Sequence, residues 1–210
     1  MKKYILFDND GVLVETEKWY FQANYEVLKK MNIELSEEDY LEIMIKGKSA
    51  FILAEQRGFS EKDIQKAKED RNRLYQHYIQ TEDISIKGVN EVLTSLKEKY
   101  KMGIVTSSRR EDFELIHHKS DLTRHMDFVL CSGEYPRSKP FADPYLVGLE
   151  RFSAHKDEAI VVEDSQRGLA SAYAAGIECV IVHNHFTRSH DFSQASYFIK
   201  GLEELEALLS

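Results

Sequence analysis

Five short apolar segments separated by helical patterns constrain the fold of this chain more than any other feature of its sequence. They lie at residues 4–7, 103–105, 128–131, 159–162 and 179–182. Most of them are continuous rather than alternating, which is typical of strands covered on both faces in a parallel sheet. We therefore predict an α/β fold, with a doubly wound core in which a parallel sheet is flanked by helices.

Apolar residues at helical spacing occupy the intervals between these strands. The spacing i, i+3, i+4, i+7 predicts a core-facing helix over residues 89–96 and another over residues 202–209. Gly176 follows an alanine-rich segment and precedes a predicted strand, which is typical of a helix C-cap. Strands and helices therefore alternate through most of the chain.

The stretch after the first strand breaks this alternation, because it contains no convincing strand. Its apolar residues follow a helical stripe over residues 20–31, and the charged residues 61–80 predict a second helix. We therefore predict two domains: an α/β core of residues 1–16 and 83–210, and an inserted helical domain of residues 17–82.

The charge and hydropathy of the chain limit the kinds of partner that we expect. The formal net charge is −8, and an acidic surface repels polyanions, so we expect no nucleic-acid partner. No apolar run approaches the length of a membrane span, and the four apolar residues that follow the two lysines of the N-terminal MKKYILFDND are too few for the core of a signal peptide. We expect a monomeric cytoplasmic protein without a membrane partner.

Cysteine and histidine do not show the spacing of a zinc site. Cys131 and Cys179 both lie in apolar segments, so we predict buried free thiols rather than a disulfide. His117 and His118 lie on a predicted helix, where we expect them to have surface roles.

Polar side chains follow four of the predicted strands. In an open α/β sheet the carboxyl ends of the strands share one edge, where ligands bind. These side chains are therefore expected to meet in one crevice. They are Asp8, Asp10, Thr106, Ser107, Arg109, Lys139, Glu163 and Asp164.

The carboxylates of this set predict a metal site. Two unit charges about 4 Å apart repel by roughly 4 kcal/mol at an effective dielectric constant of 20. The charge of Lys139 cannot balance Asp8, Asp10, Glu163 and Asp164 by itself. A hard divalent cation with oxygen ligands, Mg²⁺, would complete the balance, so we predict these four acidic residues as its ligands.

The same side chains supply what phosphoryl transfer requires. An ionised carboxylate can attack phosphorus, and a second one can protonate the leaving oxygen and then activate water. Hydroxyl, ammonium and guanidinium groups can hold the phosphate oxygens, and we predict this role for Thr106, Ser107, Arg109 and Lys139. For Arg109, a solvated helix face is an equally good interpretation.

Four motifs in order resemble those of haloacid dehalogenase (HAD) phosphatases, particularly the β-phosphoglucomutase-like subfamily. Residues 8–17, DNDGVLVETE, resemble the DxDGTLxDSE opening of that family, and Thr106 falls where its second motif has Ser or Thr. Residues 139–145, KPFADPY, resemble its KPxPxxY segment. Residues 163–169, EDSQRGL, followed by AAG, resemble its EDSxxGxxAAxxAGM run.

This resemblance implies a Rossmann-like core and a helical cap domain. It implies Asp8 as the nucleophile and Asp10 as the acid and base, with Mg²⁺ held by Asp8, the Asp10 carbonyl and Asp164, and Glu163 nearby. The expected function is Mg²⁺-dependent hydrolysis of a small phosphorylated metabolite, such as a sugar phosphate, through an aspartyl-phosphate intermediate.

Departures from the family pattern leave alternatives open. Asn9 replaces an apolar residue between the aspartates, and Ala142 replaces a proline. Ala50 stands where the mutases carry the arginine of a KGxSR segment, which weakens the alternative of a phosphomutase. A phosphorylatable receiver module, which is not an enzyme, and a haloacid dehalogenase are further alternatives. A receiver normally lacks a cap, and the second aspartate argues against dehalogenation.

Overall fold

A single parallel β-sheet lies at the centre of the computed structural model, which describes residues 1–209 of the chain. In this range its strands are β1 Tyr4–Phe7, β2 Lys101–Val105, β3 Phe128–Leu130, β4 Ala159–Glu163, β5 Glu178–Val182 and β6 Tyr197–Ile199. The first five confirm the strands predicted from the apolar segments. The predicted α/β class with a parallel sheet flanked by helices is therefore confirmed.

Helices fill the connections between the strands. The α-helices in the described range are α1 Glu17–Lys30, α2 Glu37–Ile45, α3 Ile52–Gln56, α4 Glu61–Thr81, α5 Val89–Leu96, α6 Arg110–His117, α7 Asp143–Phe152, α8 Gln166–Ala174 and α9 Leu205–Leu209. Short 3₁₀ helices occur at Leu122–His125, Lys156–Glu158, His185–Thr187 and Leu202–Glu204. Ala175 is the C-cap residue of α8, and Gly176, predicted at that position, follows it with φ +69°, as is common one residue beyond a C-cap. None of the helices in residues 1–209 is both long enough and apolar enough to cross a bilayer.

The strand order indicates where on the sheet a ligand is expected. The order is β3-β2-β1-β4-β5-β6, and every pair is parallel. The chain runs outward from β1 through β2 to β3, then crosses back to β4 and runs outward the other way. The carboxyl ends of β1, β2 and β4 therefore surround the point where the order reverses, which is where ligands bind in open α/β sheets.

Burial on both faces explains why the strand segments are continuously apolar. Ile5 and Phe7 join a core cluster with residues of α5 and α9, whereas Leu6 between them joins a second cluster with residues of α7 and α8. Side chains of a strand alternate between the two faces of a sheet. Each face here is covered by helices, so most positions of these strands select an apolar side chain. Cys131 and Cys179 are buried free thiols, as predicted.

The sixth strand was not predicted. Tyr197 and Phe198 are 40% and 63% exposed, because β6 is an edge strand that pairs with β5 alone. In β6 only Ile199 is buried. A three-residue strand with one buried side chain carries too little periodicity for detection from the sequence.

The chain divides into two compact units, residues 1–15 with residues 84 onwards, and residues 16–83. The sequence predicts the corresponding boundaries after residues 16 and 82. The smaller unit contains α1 to α4, and in it α1 packs against α4, where the rings of Tyr20 and Tyr75 lie 5.2 Å apart. In the larger unit, the N–H of Glu15 donates to the carbonyl oxygen of Ile84 at 2.9 Å. The two backbone segments that flank the smaller unit are therefore joined to each other.

Candidate active site

Three buried carboxylates converge at the carboxyl ends of β1 and β4. Asp8 follows β1 and continues its pairing, since its N–H donates to the carbonyl oxygen of Val162 at 2.9 Å. Glu163 is the last residue of β4, and Asp164 follows it. Carboxylate oxygens of Asp8, Glu163 and Asp164 all lie within 4.8 Å of one another, and the three residues are at most 9% exposed.

Lys139 lies against this cluster and is itself buried. Its Nζ donates to Asp8 Oδ1 at 2.7 Å, to Glu163 Oε1 at 2.6 Å and to the carbonyl oxygen of Val105 at 2.9 Å. Burial opposes its charge, but the carboxylates of Asp8 and Glu163 hold the pKa of Lys139 above its ordinary value. Lys139 is therefore cationic and fixed by three hydrogen bonds.

The negative charge of the cluster exceeds what Lys139 balances. Burial and the nearby carboxylates of Glu163 and Asp10 together raise the pKa of the Asp8 carboxyl to about 7, although Lys139 opposes the rise. The carboxylates offer hard oxygen donors that suit Mg²⁺. The excess charge and the donor set therefore fit a divalent cation.

Glu163 is held in place from several sides. The hydroxyl of Tyr145 donates to Glu163 Oε1 at 2.6 Å, and the N–H of Asp164 and the hydroxyl of Ser165 donate to Oε2 at 3.2 and 3.1 Å. A Cβ on Gly168 would lie 1.8 Å from the Glu163 carboxyl carbon. The glycine of the EDSQRGL segment therefore makes room for the fixed carboxylate.

We expect Tyr145→Phe to lower the free energy of unfolding by about 2 kcal/mol, because a buried charged acceptor loses a donor. Tyr135→Phe is a matched control, since its buried hydroxyl donates to a neutral acceptor, the carbonyl oxygen of Thr106, at 2.8 Å. The control should cost about 1 kcal/mol. Urea denaturation measures both values, and an equal loss in the two variants would contradict a special role for the Tyr145 hydroxyl.

Asp10 lies at the same edge but has its own donors. The hydroxyl of Ser108 donates to Asp10 Oδ2 at 2.7 Å, and that of Thr106 donates to the same oxygen at 3.3 Å. Thr106 is fully buried, and its Oγ1 also accepts the N–H of Ser108 at 3.0 Å. Ser108 belongs to the polar segment that follows β2, but the sequence assigned it no role in the site.

Gly11 and Asn184 complete the wall beside Asp164. Gly11 has φ +79°, and a Cβ there would lie 2.1 Å from Asp164 Oδ2. The side-chain amide of Asn184 donates to the Gly11 carbonyl oxygen at 3.4 Å, and Asn184 is buried. Sequence reasoning also missed Asn184, which is a polar residue just after β5 and so has the same strand-end placement as the other site residues.

Ser107 and Arg109 differ from the other predicted site residues. Ser107 is exposed. The guanidinium of Arg109 binds the Asp112 carboxylate in bidentate fashion, with Nε 3.0 Å from Oδ2 and an Nη 3.1 Å from Oδ1. The structure thus brings together Asp8, Asp10, Thr106, Lys139, Glu163 and Asp164 but not Ser107 and Arg109. The phosphate-binding roles of Thr106, Ser107, Arg109 and Lys139 stay predictions.

The expected surface role of His117 is wrong. The residue is 8% exposed, and its Nε2 lies 2.7 Å from the side-chain oxygen of Asn9. His117 lies four residues after Phe113, one turn further along α6, and the two side chains share the buried face of this helix with Ile116. Burial lowers the pKa of His117 to about 4, although the charge of Asp10 opposes this shift. His117 is therefore neutral at pH 7.

This burial predicts a specific dependence of stability on pH. Because the pKa of His117 is about 6.5 in the unfolded chain and about 4 in the folded one, the unfolded chain binds more protons between these values. The free energy of unfolding should fall by up to about 3 kcal/mol as the pH drops from 6.5 to 4. His117→Gln should remove this part of the dependence.

Urea denaturation at about pH 7 and pH 4.5 checks this expectation. His118→Gln is the matched control, since His118 is the next residue and is exposed. If the His117→Gln and wild-type proteins lost the same stability between the two pH values, His117 would not be the source of the dependence.

The fold and the candidate site together define an α/β protein in which clustered carboxylates surround one lysine at the point where the strand order reverses. The family model for haloacid dehalogenase-like hydrolases matches residues 5–182. The chain belongs to this family and is a hydrolase, which confirms the family predicted from the motifs. Membership of a hydrolase family favours an enzyme over the alternative of a receiver module.

Several known proteins are similar to the chain over most of its length. The phosphorylated carbohydrates phosphatase of Thermotoga maritima is 28% identical over 86% of this chain and 85% of its own. The protein CbbY of Rhodobacter capsulatus is 28% identical over 95% and 93% of the two chains. A crystal structure of a CbbY mutant from Rhodobacter sphaeroides with xylulose-(1,5)bisphosphate has a TM-score of 0.81 at 20% identity, covering 98% of this chain and 96% of that one.

Proposed function

We propose that the protein is a Mg²⁺-dependent phosphatase that hydrolyses a small organophosphate, such as a sugar phosphate, through an aspartyl-phosphate on Asp8. The observation that carries this proposal is the convergence of three buried carboxylates within 4.8 Å of one another against the ammonium of Lys139. A buried cluster with excess negative charge needs a cation, and a cation at this place can also neutralise a phosphate.

Asp8, Asp164 and the Asp10 carbonyl would hold Mg²⁺, with Glu163 close by. When bound, Mg²⁺ supplies a positive charge that polarises a phosphate oxygen. Lys139 adds a second positive charge and fixes Asp8 Oδ1, so that the nucleophile has one orientation. The charged oxygens of the transferring group would therefore meet an electrostatic environment that is already organised.

The reaction has two steps. In the first, a carboxylate oxygen of Asp8 forms a bond to phosphorus, the bond from phosphorus to the leaving oxygen breaks, and Asp10 gives its proton to that oxygen. In the second, Asp10 accepts a proton from water while the water oxygen bonds to phosphorus, and the bond between phosphorus and Asp8 breaks. Inorganic phosphate leaves, and both aspartates return to their starting states.

The names of the similar proteins support a phosphorylated small molecule as the substrate, because one is a phosphatase of phosphorylated carbohydrates and a CbbY structure contains a sugar bisphosphate. The alternative of a phosphomutase requires a second phosphate site. Ala50, at the place of the mutase arginine, is 2% exposed and offers no side-chain donor, which counts against that alternative. Assays of phosphate release and of sugar-phosphate isomerisation, run in parallel, separate the two activities.

A screen of phosphorylated metabolites for phosphate release tests the proposal. With Mg²⁺ we expect turnover of at least one small phosphate ester. Excess EDTA should reduce this turnover by at least about 100-fold, because the buried carboxylates would then lack their counter-charge. Added Mg²⁺ should restore it. Full activity in excess EDTA would overturn the role of the metal.

A further inference from the structure

The residue between the two aspartates makes contacts that an apolar residue could not make. Asn9 is fully buried, and its Oδ1 lies 2.7 Å from His117 Nε2 on α6. Its Nδ2 lies 3.4 Å from Asp10 Oδ2. Asn9 therefore links a buried helix side chain to the carboxylate that we propose as acid and base.

The donor and acceptor groups of these side chains allow this series of hydrogen bonds only one direction. An amide nitrogen donates, so Asn9 Nδ2 donates to Asp10 and Oδ1 accepts from His117. His117 Nε2 must then carry the hydrogen, and Nδ1, 2.7 Å from the hydroxyl oxygen of Ser120, accepts from that hydroxyl. Neutral His117 meets both requirements at once. The chain runs from Ser120 through His117 and Asn9 to Asp10.

The backbone of Asn9 is held as firmly as its side chain. Its carbonyl oxygen accepts the N–H of Leu13 at 2.8 Å, of Val14 at 3.2 Å and of Val12 at 3.3 Å. With both ends of the residue fixed, the Asn9 carboxamide has little freedom to rotate. Asp10 Oδ2 then receives donors from Asn9, Thr106 and Ser108 together.

We propose that Asn9 and His117 are positioning residues that hold the Asp10 side chain in the orientation needed to transfer a proton to the leaving oxygen. The proposal rests on the proposed function. Burying two polar side chains is costly unless each one is paired, whereas an apolar residue at position 9 would pack without this requirement. The hydrogen bonds of Asn9 and His117 lead to Asp10. The bonds that offset the cost of burying these two polar side chains therefore also orient a carboxylate of the proposed site.

Two variants separate positioning from packing. Asn9→Leu removes both contacts of the carboxamide but leaves the His117 N–H buried without its acceptor. Asn9→Leu/His117→Leu removes both fully or largely buried polar groups, and the Ser120 hydroxyl that loses its acceptor is only partly buried, so the double variant should recover the stability that the single variant loses. The double variant therefore keeps the test valid even where the single variant folds poorly.

The readout is the kcat/KM for an alkyl phosphate, glycerol 3-phosphate, divided by that for p-nitrophenyl phosphate. The alkoxide needs a proton as it leaves, whereas p-nitrophenolate leaves without one, so loss of a positioned acid lowers this ratio. We expect a fall of about tenfold in both variants, as part of the 10²- to 10⁴-fold that acid catalysis contributes. General destabilisation would lower both terms and leave the ratio unchanged.

The inference is overturned by a wild-type ratio in Asn9→Leu, or by a return to the wild-type ratio in the double variant when its stability recovers. Failure of the proposed function looks different. The wild-type protein would then release no phosphate from either probe, or Asp8→Asn would retain activity. An active wild-type protein, an inactive Asp8→Asn and an unchanged ratio would reject the role of Asn9 alone.

Discussion

Replacing Asp8 with asparagine is expected to lower phosphate release by at least about 10⁴-fold, the size of effect seen when a covalent nucleophile is removed. Asparagine keeps the shape of the side chain but has no negatively charged oxygen to attack phosphorus. Asp8 directly follows β1, and its backbone continues the pairing with β4. The substitution leaves that backbone bond in place, so the sheet should form normally.

Two measurements make this result interpretable. Circular dichroism and urea denaturation establish that the Asp8→Asn protein is folded, and single-turnover phosphate release gives the rate. Asp157→Asn is the control, because Asp157 is an exposed residue of the Lys156–Glu158 helix. It should retain wild-type turnover. Undiminished activity in Asp8→Asn would remove Asp8 from the role of nucleophile.

Lys139→Met is expected to lower the free energy of unfolding by about 3–5 kcal/mol and to abolish measurable phosphate release. Breaking a buried ion pair by removing one partner leaves the other charges uncompensated, and this carries a cost of that size. Here two carboxylates, those of Asp8 and Glu163, lose their shared cation. The carboxylates of Asp8 and Glu163 hold the pKa of Lys139 above its ordinary value, against the effect of burial. The contribution of Lys139 to stability is therefore fully present at pH 7 and is lost only as the pH rises from the ordinary pKa of lysine through the raised one.

An exposed ion pair of the same length provides the comparison for Lys139. Lys3 lies 2.7 Å from Glu158, and its side chain is 62% exposed, so Lys3→Met should change stability only marginally. Lys139→Met/Glu163→Gln should recover part of the loss, since one uncompensated charge is gone. All three proteins are compared by urea denaturation in EDTA at pH 7. Similar losses in the free energy of unfolding of Lys139→Met and Lys3→Met would show that the ion pairs of Lys139 stabilise the protein no more than an exposed ion pair does.

The sheet and the acidic cluster could be predicted because each leaves a local mark on the sequence. Burial on both faces makes the strands continuously apolar, as in β4, where all five residues are buried. Asp8 directly follows the apolar residues of β1, and Glu163 ends the apolar run of β4. The strand-end rule then places these residues together without any knowledge of their contacts.

The contacts that tune the site could not be predicted, because their partners are far apart in the chain. Asn9 and His117 are 108 residues apart, and each looks ordinary in its own segment. The place of His117 on the buried face of α6 depends on the exact start and end of that helix, which are the features least accessible from sequence. Sequence showed which residues could do chemistry, while long-range packing decides how each of them is oriented.

The backbone bond between Glu15 and Ile84 has a consequence for how such an enzyme can change over time. The chain leaves the larger unit after Glu15 and returns to it at Ile84, and the hydrogen bond between these two residues joins the two ends of the inserted segment. The length of the inserted segment therefore has little effect on the larger unit. Doubling such a loop costs only about 0.6 kcal/mol in closure entropy. Residues 16–83 can therefore be remodelled or exchanged as a module, while the buried carboxylates of the larger unit keep their positions.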